Sequence, residues 1–338
     1  MKFFSDISIR SIQLLTSFLT VRLVFEATQG MAQLTWGDWQ YSINGNNAII
    51  TRYTGAASDL SIPNVIDGLP VQYIDIGAFP EISSLTNVFI PSSVSGVLNG
   101  SGVVPFAYCI NLVSIVVDPM NMAFSSADGV LFNKKQTSLL EFPLGRRGNY
   151  TIPVGVVRVA PFAFVGCANL TNVTIPNTVT NIMNEGFTGC SGLTSITIPA
   201  SVQAIGSFAF NGCDYLTNIF FKGTPPVVWN GPVFAPAWVI LPKTMYYIPG
   251  TVGWGATYAG YPTAPLTIAV STPTVQDGKF SFSVVGPTGI STVVESSTSL
   301  RSPTWSPIQT GNLSDGPLFV FDPDWRNFSA RFYRIRLQ

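Results

Sequence analysis

The sequence predicts a mainly β fold, in which a solenoid of stacked strands and short helical turns precedes a small β-sandwich-like module. Three features support this prediction. The sequence repeats every 23 residues through Cys167, Cys190 and Cys213. Each copy contains a short alternating apolar pattern, and the composition changes after Pro265. A fixed short period is typical of a solenoid, in which each copy is one rung that rests on the next.

The first part of each rung is predicted to be a strand. Residues 170–176 read Leu-Thr-Asn-Val-Thr-Ile-Pro, and close copies occupy residues 193–199 and 216–222. Apolar and polar residues alternate in these segments, as they do in a half-buried strand. Proline ends the first two copies because it has no N–H to offer a neighbouring strand.

The second part of each rung leads to the cysteine through a phenylalanine and a glycine. A turn of helix fits this segment, and the glycine before the cysteine would end it. We expect the phenylalanine and the cysteine to face inward and to form columns through the stacked rungs. The predicted structural ladder consists of Phe164, Phe187, Phe210, Cys167, Cys190 and Cys213.

The cysteine column allows two interpretations. Strands on adjacent rungs lie about 4.8 Å apart, which is inside the range of Cα separations that a disulfide can bridge. The favoured alternative is a ladder of buried free thiols, because free cysteine is among the most buried residue types. A spacing of 23 residues matches no compact zinc pattern, so no metal site is predicted.

Five regions are predicted along the chain. Residues 1–32 read as a signal peptide, with a positive start, an apolar stretch and small residues before the cleavage position. Residues 33–58 form a hairpin cap that turns near Asn44-Gly45. The repeats occupy 59–222 with an insertion at 119–148, and 223–265 caps the other end. Both caps are expected because a terminal rung has no neighbour to cover its core.

The fifth region, residues 266–338, is predicted to be a separate module. Five or six short strand-like runs alternate there with Pro, Gly, Ser and Asn. This pattern favours a small β-sandwich, of which the immunoglobulin-like type is one form. We also hypothesise that the module holds the protein at a surface.

The repeats resemble the bacterial surface leucine-rich repeats of the BspA type. The resemblance rests on Cys-x-x-Leu-Thr-x-Ile-Thr-Ile-Pro, then x-x-Val-x-x-Ile, then Ala-Phe-x-Gly-Cys, and covers about residues 35–260. It implies a leucine-rich-repeat solenoid. It also implies a secreted or cell-surface protein used in adhesion or recognition, without catalysis. It implies no particular ligand, and Phe89, Phe220 and Lys222 depart from its usual strand.

Composition excludes several classes of function. Charged residues make up 10% of the chain and the net charge is zero, so no field is available to gather nucleic acid or an anionic bilayer. The chain has no histidine, which excludes the common histidine-based catalytic and metal sites. Carboxylate-pair and lysine chemistry remain open. No cofactor is predicted, and no stretch is long enough to span a membrane.

The strand alternation predicts an outward column on one sheet, which is the candidate binding face. The outward positions are Phe89, Val116, Thr174, Thr197 and Phe220. Beside them run the amides Asn87, Asn172 and Asn218, with Ser114 and Ser195 between. One interpretation is a passive ladder tied to neighbouring backbone, with the insertion or the tail module covering the phenylalanines. The other is a docking face with aromatic ends.

The favoured functional hypothesis is an exported or cell-surface protein that binds a macromolecule, either a protein or a glycan, and is not an enzyme. One alternative is a structural envelope component without a specific ligand. The other is a β-helical polysaccharide-active protein. Such an enzyme needs clustered Asp, Arg or Lys on one sheet, whereas the outward columns here hold Thr, Asn, Ser and Phe.

Overall fold

The computed structural model describes residues 33–98, 105–229, 231–234, 242–276, 278–313 and 317–337. Within them the chain is a mainly β solenoid of stacked turns, which confirms the predicted solenoid, and two further antiparallel sheets follow it. The predicted signal peptide, 1–32, lies outside the described residues. Among the described residues, no helix has the length and apolar character needed to cross a membrane.

The N-terminal part consists of a hairpin and the first irregular rungs. Its strands are β1 (Leu34–Trp36), β2 (Trp39–Asn44), β3 (Asn47–Tyr53), β4 (Asp59–Ser61), β5 (Val65–Ile66), β6 (Leu69–Asp75), β7 (Asn87–Ile90), β8 (Gly96–Leu98) and β9 (Ser114–Val117). The hairpin of β2 and β3 turns at Asn44–Asn47. Strand β3 then pairs in parallel with β6, so the hairpin is hydrogen-bonded onto the first rung and covers its end.

The insertion forms an antiparallel unit that becomes part of the solenoid. Its strands are β10 (Phe124–Ala127), β11 (Val130–Asn133) and β12 (Ser138–Glu141). The Ile115 N–H donates to Gly129 O at 2.9 Å, which joins the hairpin to β9. The side chain of Phe132 is fully buried in the same core as the repeats. The insertion therefore fills the place of a rung.

The regular rungs run through two parallel ladders. Their strands are β13 (Gly148–Thr151), β14 (Arg158–Val159), β15 (Leu170–Thr174), β16 (Asn181–Ile182), β17 (Ser195–Ile198), β18 (Ala204–Ile205), β19 (Asn218–Phe221), β20 (Val227–Val228), β21 (Thr244–Tyr247), β22 (Thr257–Tyr258) and β23 (Tyr261–Pro265). The odd-numbered strands β13 to β23 form the first side of the rungs, and β12, β14, β16, β18 and β20 form the second. Partners such as Ile196 and Ile219 are one repeat apart, so the sequence period sets the register.

The third side of each regular rung consists of hydrogen-bonded turns, where a turn of helix was expected. The N–H of Val165 bonds within the rung to Phe162 O at 2.9 Å. The N–H of Phe164 bonds to the next rung, at Gly186 O and 2.8 Å. A helix would use both groups internally and leave none for the neighbouring rung. Positive φ angles at Phe162, Glu185 and Phe208 make the alternation possible.

A column of stacked phenylalanines fills the centre of the rungs. The ring centroids of Phe142 and Phe164 lie 5.1 Å apart, those of Phe164 and Phe187 lie 4.6 Å apart, and those of Phe187 and Phe210 lie 5.3 Å apart. Phe234 continues the column at 5.7 Å from Phe210. Stacked aromatic pairs add to the stabilisation that burial provides, by about 0.5–1.5 kcal/mol each. A similar contact is therefore repeated at each rung boundary from Phe142 to Phe234.

The cysteines form a second buried column, and all four are free thiols. Each thiol points at the phenylalanine carbonyl of the preceding rung. The Sγ atoms of Cys190 and Cys213 donate to Phe164 O and Phe187 O at 3.1 Å. Because every thiol has a backbone acceptor, the column satisfies its polar atoms without disulfides.

The tail of the chain contains two antiparallel sheets. Its elements are β24 (Ala269–Val270), β25 (Thr274–Gln276), β26 (Lys279–Val285), β27 (Ile290–Ser297), β28 (Ser306–Leu313), β29 (Leu318–Asp322), the 3₁₀ turn Trp325–Asn327 and β30 (Phe332–Leu337). One sheet contains β24, β25, β26 and β29, and the other contains β28, β27 and β30. Phe282, Val294 and Val320 belong to one apolar cluster between the sheets. That cluster also contains Phe220 of the last regular rung.

Candidate binding face on the repeat sheet

We define the repeat face as the outward side of strands β4, β7 and β9 of the first rungs and of the odd-numbered strands β13 to β23 of the regular rungs. The register pairs its first set of outward positions two by two, with Phe89 beside Val116, Thr151 beside Thr174 and Thr197 beside Phe220. The amide column has the same pairing, with Asn87 beside Ser114, Asn149 beside Asn172 and Ser195 beside Asn218. Asn149 and Thr151 were missed by the sequence prediction, although counting back from Pro153 would have found them.

The N-terminal end of the repeat face is apolar at one pair of positions, and its amide side chain is hydrogen-bonded to neighbouring side chains. Val116 is 46% exposed, and Phe89 beside it is half-buried. The amide of Asn87 donates to Asp59 Oδ1 at 2.6 Å and to Thr86 Oγ1 at 3.1 Å. At this end the amide column is therefore tied to its own neighbours, as the passive interpretation requires.

The tail covers the C-terminal end of the repeat face. Phe220 is 4% exposed and packs with Leu266 and Ile290. The Ser195 hydroxyl donates to Gly289 O at 3.1 Å. The amide of Asn218 also bonds to the tail. Phe220 and Asn218 are thus part of an interface within the chain, and the structure removes both from the predicted binding set. Burial of an aromatic ring there explains why the strand carries phenylalanine in place of threonine.

The middle of the repeat face is open. We define the central patch as Asn149, Thr151, Asn172 and Thr174, all of which are exposed. The hydroxyl of Thr171 donates to Asn149 Oδ1 at 3.1 Å. Within the described part of the chain, the other three side chains of the patch make no hydrogen bond. The central patch therefore differs from both ends in its exposure, since all four of its side chains are open to a partner.

The charges around the central patch are few. Arg146 Nη2 pairs with Asp128 Oδ2 at 2.7 Å, and its guanidinium lies 5.4 Å from the Phe142 ring centroid. This pair belongs to the insertion side of the patch, since Gly129 next to Asp128 lies against Ser114. Arg147 is exposed just before β13, and no salt bridge to it occurs among the described residues. One free cation does not create a charged field.

A buried carboxyl, Glu141, lies away from the repeat face. Its Oε1 accepts from the Phe106 N–H at 3.1 Å, while its Oε2 has no partner among the described residues. In the regular rungs the equivalent phenylalanine N–H bonds to a backbone carbonyl, as Phe164 N does to Gly186 O at 2.8 Å. Glu141 therefore supplies an acceptor where the insertion breaks the rung pattern. At 1% exposure it cannot meet a substrate, and burial raises its pKa well above the usual value.

The remaining predicted residues have structural positions. Thr197 is half-buried at the edge of the contact with the tail, beside Phe220 and Leu266. The six residues of the predicted ladder all lie inside the solenoid, with exposures of 2% or less. None of them reaches the repeat face.

Comparison with known proteins gives a family match. The model of the BspA type leucine-rich repeat region matches six copies, over residues 41–137 and 147–226. No curated protein matches the sequence. Solved structures do match, and three of them illustrate the range.

A leucine-rich repeat protein from Eubacterium ventriosum ATCC 27560 is 29% identical, with a TM-score of 0.42. That match covers 50% of this chain and only 42% of the other. The T. pallidum leucine rich repeat protein is 24% identical over 64% of this chain and 85% of its own, with a TM-score of 0.29. A leucine rich cell surface protein from Faecalibacterium prausnitzii A2-165 is 17% identical over 63% and 97%, with a TM-score of 0.32.

Proposed function

This chain belongs to the BspA-type leucine-rich repeat family, and on that premise we propose that it is an exported or cell-surface protein that binds a macromolecular partner through the central patch of its repeat face. The proposed role is recognition or adhesion, without catalysis. A repeat solenoid suits such a role because stacked rungs present an extended surface instead of an enclosed pocket.

The observation that carries this proposal is the contrast along the repeat face. Asn87 is bonded to its neighbours at one end, and Ser195 is bonded to the tail at the other. Between them, Thr151, Asn172 and Thr174 have exposed polar groups that are bonded to nothing in the described chain. The central patch is thus the stretch of the repeat face where exposed polar side chains are neither covered by the tail nor held by an acid of the neighbouring rung.

A non-catalytic role is supported by the side chains of the central patch, none of which is an acid or a base, and by the burial of two of the acids. Glu141 is buried in the core, and Asp322 is buried in the tail, where it accepts from the Tyr333 hydroxyl at 2.7 Å. Acid–base chemistry needs a titratable group within hydrogen-bond reach of a substrate. The central patch offers only amides and hydroxyl groups to a bound molecule. These groups form hydrogen bonds but do not act as acids or bases near neutral pH, which suits binding without catalysis.

Export is proposed from the pattern of residues 1–32 and from the surface character that the family resemblance implies. The proposed role of the tail in surface retention remains a hypothesis. Its contact with Phe220 gives it a second role, which is to close the C-terminal end of the repeat face.

The test of the proposed function is a binding screen with the purified chain against matrix proteins and polysaccharides. Thr174→Arg places a bulky charged group in the central patch, and we expect it to weaken binding at least about tenfold, by roughly 1.4 kcal/mol. Asn177→Arg is the matched control, because Asn177 is exposed on the corner of the same rung. Failure of the unsubstituted chain to bind any probe would favour the structural envelope role.

A further inference from the structure

We propose that the partner of the central patch is a neutral polysaccharide. This inference rests on the proposed function, because it names the ligand class of the same surface. It follows from the arrangement of the four side chains, from their chemistry and from what borders them.

The central patch is a regular array. Asn149 faces Asn172 and Thr151 faces Thr174 across the ladder of β13 and β15. Neighbouring strands lie about 4.8 Å apart, and alternate residues along a strand are about 6.6 Å apart. Two amides and two hydroxyls therefore form a flat rectangle. A polymer whose hydroxyl groups recur along its length can meet several corners of such a rectangle at once.

The chemistry of the patch matches sugar hydroxyl groups. An amide offers both donors and an acceptor, and a hydroxyl group donates and accepts at the same time. A sugar hydroxyl also does both, so it can bond to either residue type without any change of charge. The methyl groups of Thr151 and Thr174 add small apolar contacts between the polar corners.

A protein partner fits the patch less well. The centres of protein interfaces are enriched in aromatic residues, Met and Arg, and their energetic anchors are seldom threonine. The central patch contains no aromatic side chain. The apolar pair Phe89 and Val116 lies beyond the insertion hairpin, which joins β9 on that side.

The borders of the patch limit how a polymer can lie. The ion pair of Asp128 and Arg146 borders the central patch on one side. On the other, the tail sits so close to the next rung that a Cβ on Gly289 would come within 2.5 Å of the Ser195 side chain. A long chain cannot run along the solenoid axis through the tail. It must lie parallel to the strands, along the rungs.

The test compares neutral and charged polymers on the full chain. Cellulose, chitin and a β-1,3-glucan serve as neutral probes, polygalacturonate and heparin as anionic probes, and a panel of matrix proteins as the third arm. Affinity is measured at about 50 mM and about 500 mM salt, because attraction between exposed charges is screened over that range. We expect one or more neutral glycans to bind, with less than a twofold change between the two salt concentrations.

Near-isosteric variants then test the patch. Asn172→Asp removes the amide donors and adds a charge, and Thr174→Val removes one hydroxyl group. Each is expected to weaken glycan binding about tenfold. Asn177→Asp is the matched control on the corner of the rung, and Arg147→Gln tests the exposed cation just before β13; both should change affinity less than twofold. Unchanged thermal unfolding would show that all four variants are folded.

Each other outcome overturns the inference. Preference for the anionic probes, loss of binding in Arg147→Gln, or glycan binding that Asn172→Asp leaves intact would show that the patch does not read a neutral glycan. A matrix protein that binds, is blocked by Thr174→Arg and meets no competition from glycans would overturn the inference and leave the proposed function standing. If the chain bound none of the probes, both the inference and the proposed function would be contradicted.

Discussion

Asn218 on the last regular rung donates from one amide nitrogen to two oxygens of Thr288, the carbonyl at 3.1 Å and the hydroxyl at 2.9 Å. The two residues are 70 positions apart in the chain. Together with the Ser195–Gly289 contact, this bond fixes the tail on the repeat face and separates the covered rungs from the open ones.

The contact at Gly289 should be sensitive to a single methyl group. Gly289 has a φ of +89°, and a Cβ there would lie 2.5 Å from Ser195 side-chain atoms. Gly289→Ala should therefore loosen the tail and raise hydrogen exchange in β19, as measured by mass spectrometry. The matched control is Gly260→Ala, since Gly260 has a φ of +85° but nothing within 4 Å of its Cβ position.

Both variants carry the strain of a left-handed alanine, which is about 1–2 kcal/mol. Only Gly289→Ala adds the clash. Equal exchange in β19 for the two variants would contradict the close contact between tail and repeat face.

The phenylalanine column should dominate the stability of the solenoid. Phe187 is fully buried between Phe164 and Phe210, so Phe187→Ala should lower the free energy of unfolding by about 3–5 kcal/mol. Phe208→Ala is the control, because Phe208 is 37% exposed on the adjacent rung. Urea denaturation measures both. Losses of similar size would show that the column has no special role.

Glu141 should make stability fall as pH rises. Burial favours its neutral form, so its pKa in the folded chain lies well above the usual value of 4.5. Its contribution is complete below about pH 4.5 and is lost as pH rises towards the folded pKa, because unfolding then releases the proton. The nearest titratable groups, the thiols of Cys109 and Cys167, also have raised pKa values and remain neutral over this range.

Glu141→Gln keeps an oxygen acceptor for the Phe106 N–H and cannot ionise. The unfolding temperature of this variant should therefore change less between pH 4 and pH 8 than that of the unsubstituted chain. The advantage of the variant should grow with pH. If the unfolding temperatures of the two proteins changed with pH in parallel, a buried Glu141 carboxyl with a raised pKa would be contradicted.

The four thiols should be unreactive in the folded protein. Burial raises the pKa of Cys109 to about 12 and that of Cys190 well above its usual value, and the thiolate is the reactive form. Titration with a disulfide reagent should detect essentially no thiol in native buffer and all four in guanidinium chloride. Rapid native labelling of even one thiol would show that the rungs are open.

The repeats were predictable because they are periodic. Three cysteines at equal spacing specify the rung length, and the alternation of Val173 and Thr174 specifies which side chain faces inward. These signals are local, and stacking simply repeats them. The outward direction of the candidate column followed from the same alternation.

The rest depends on contacts that no period encodes. Nothing in the strand around Phe220 distinguishes an exposed ring from one that the tail covers, because the covering residues, Leu266 and Ile290, belong to a later part of the chain. The sequence around Glu141 does not distinguish it from an exposed acid. It lies in the core because the insertion interrupts the rung pattern there. The turns that contain Phe162 appeared helical because the sequence does not show which N–H groups the next rung will take.

The identical phenylalanine and cysteine contacts at each rung boundary have an evolutionary consequence. A gene that gains or loses one whole repeat joins surfaces that already fit, so the solenoid can change length in unit steps without new compensating substitutions. The rungs beneath the tail must stay adjacent to it. Growth therefore enlarges the exposed stretch and leaves the junction with the tail as it was.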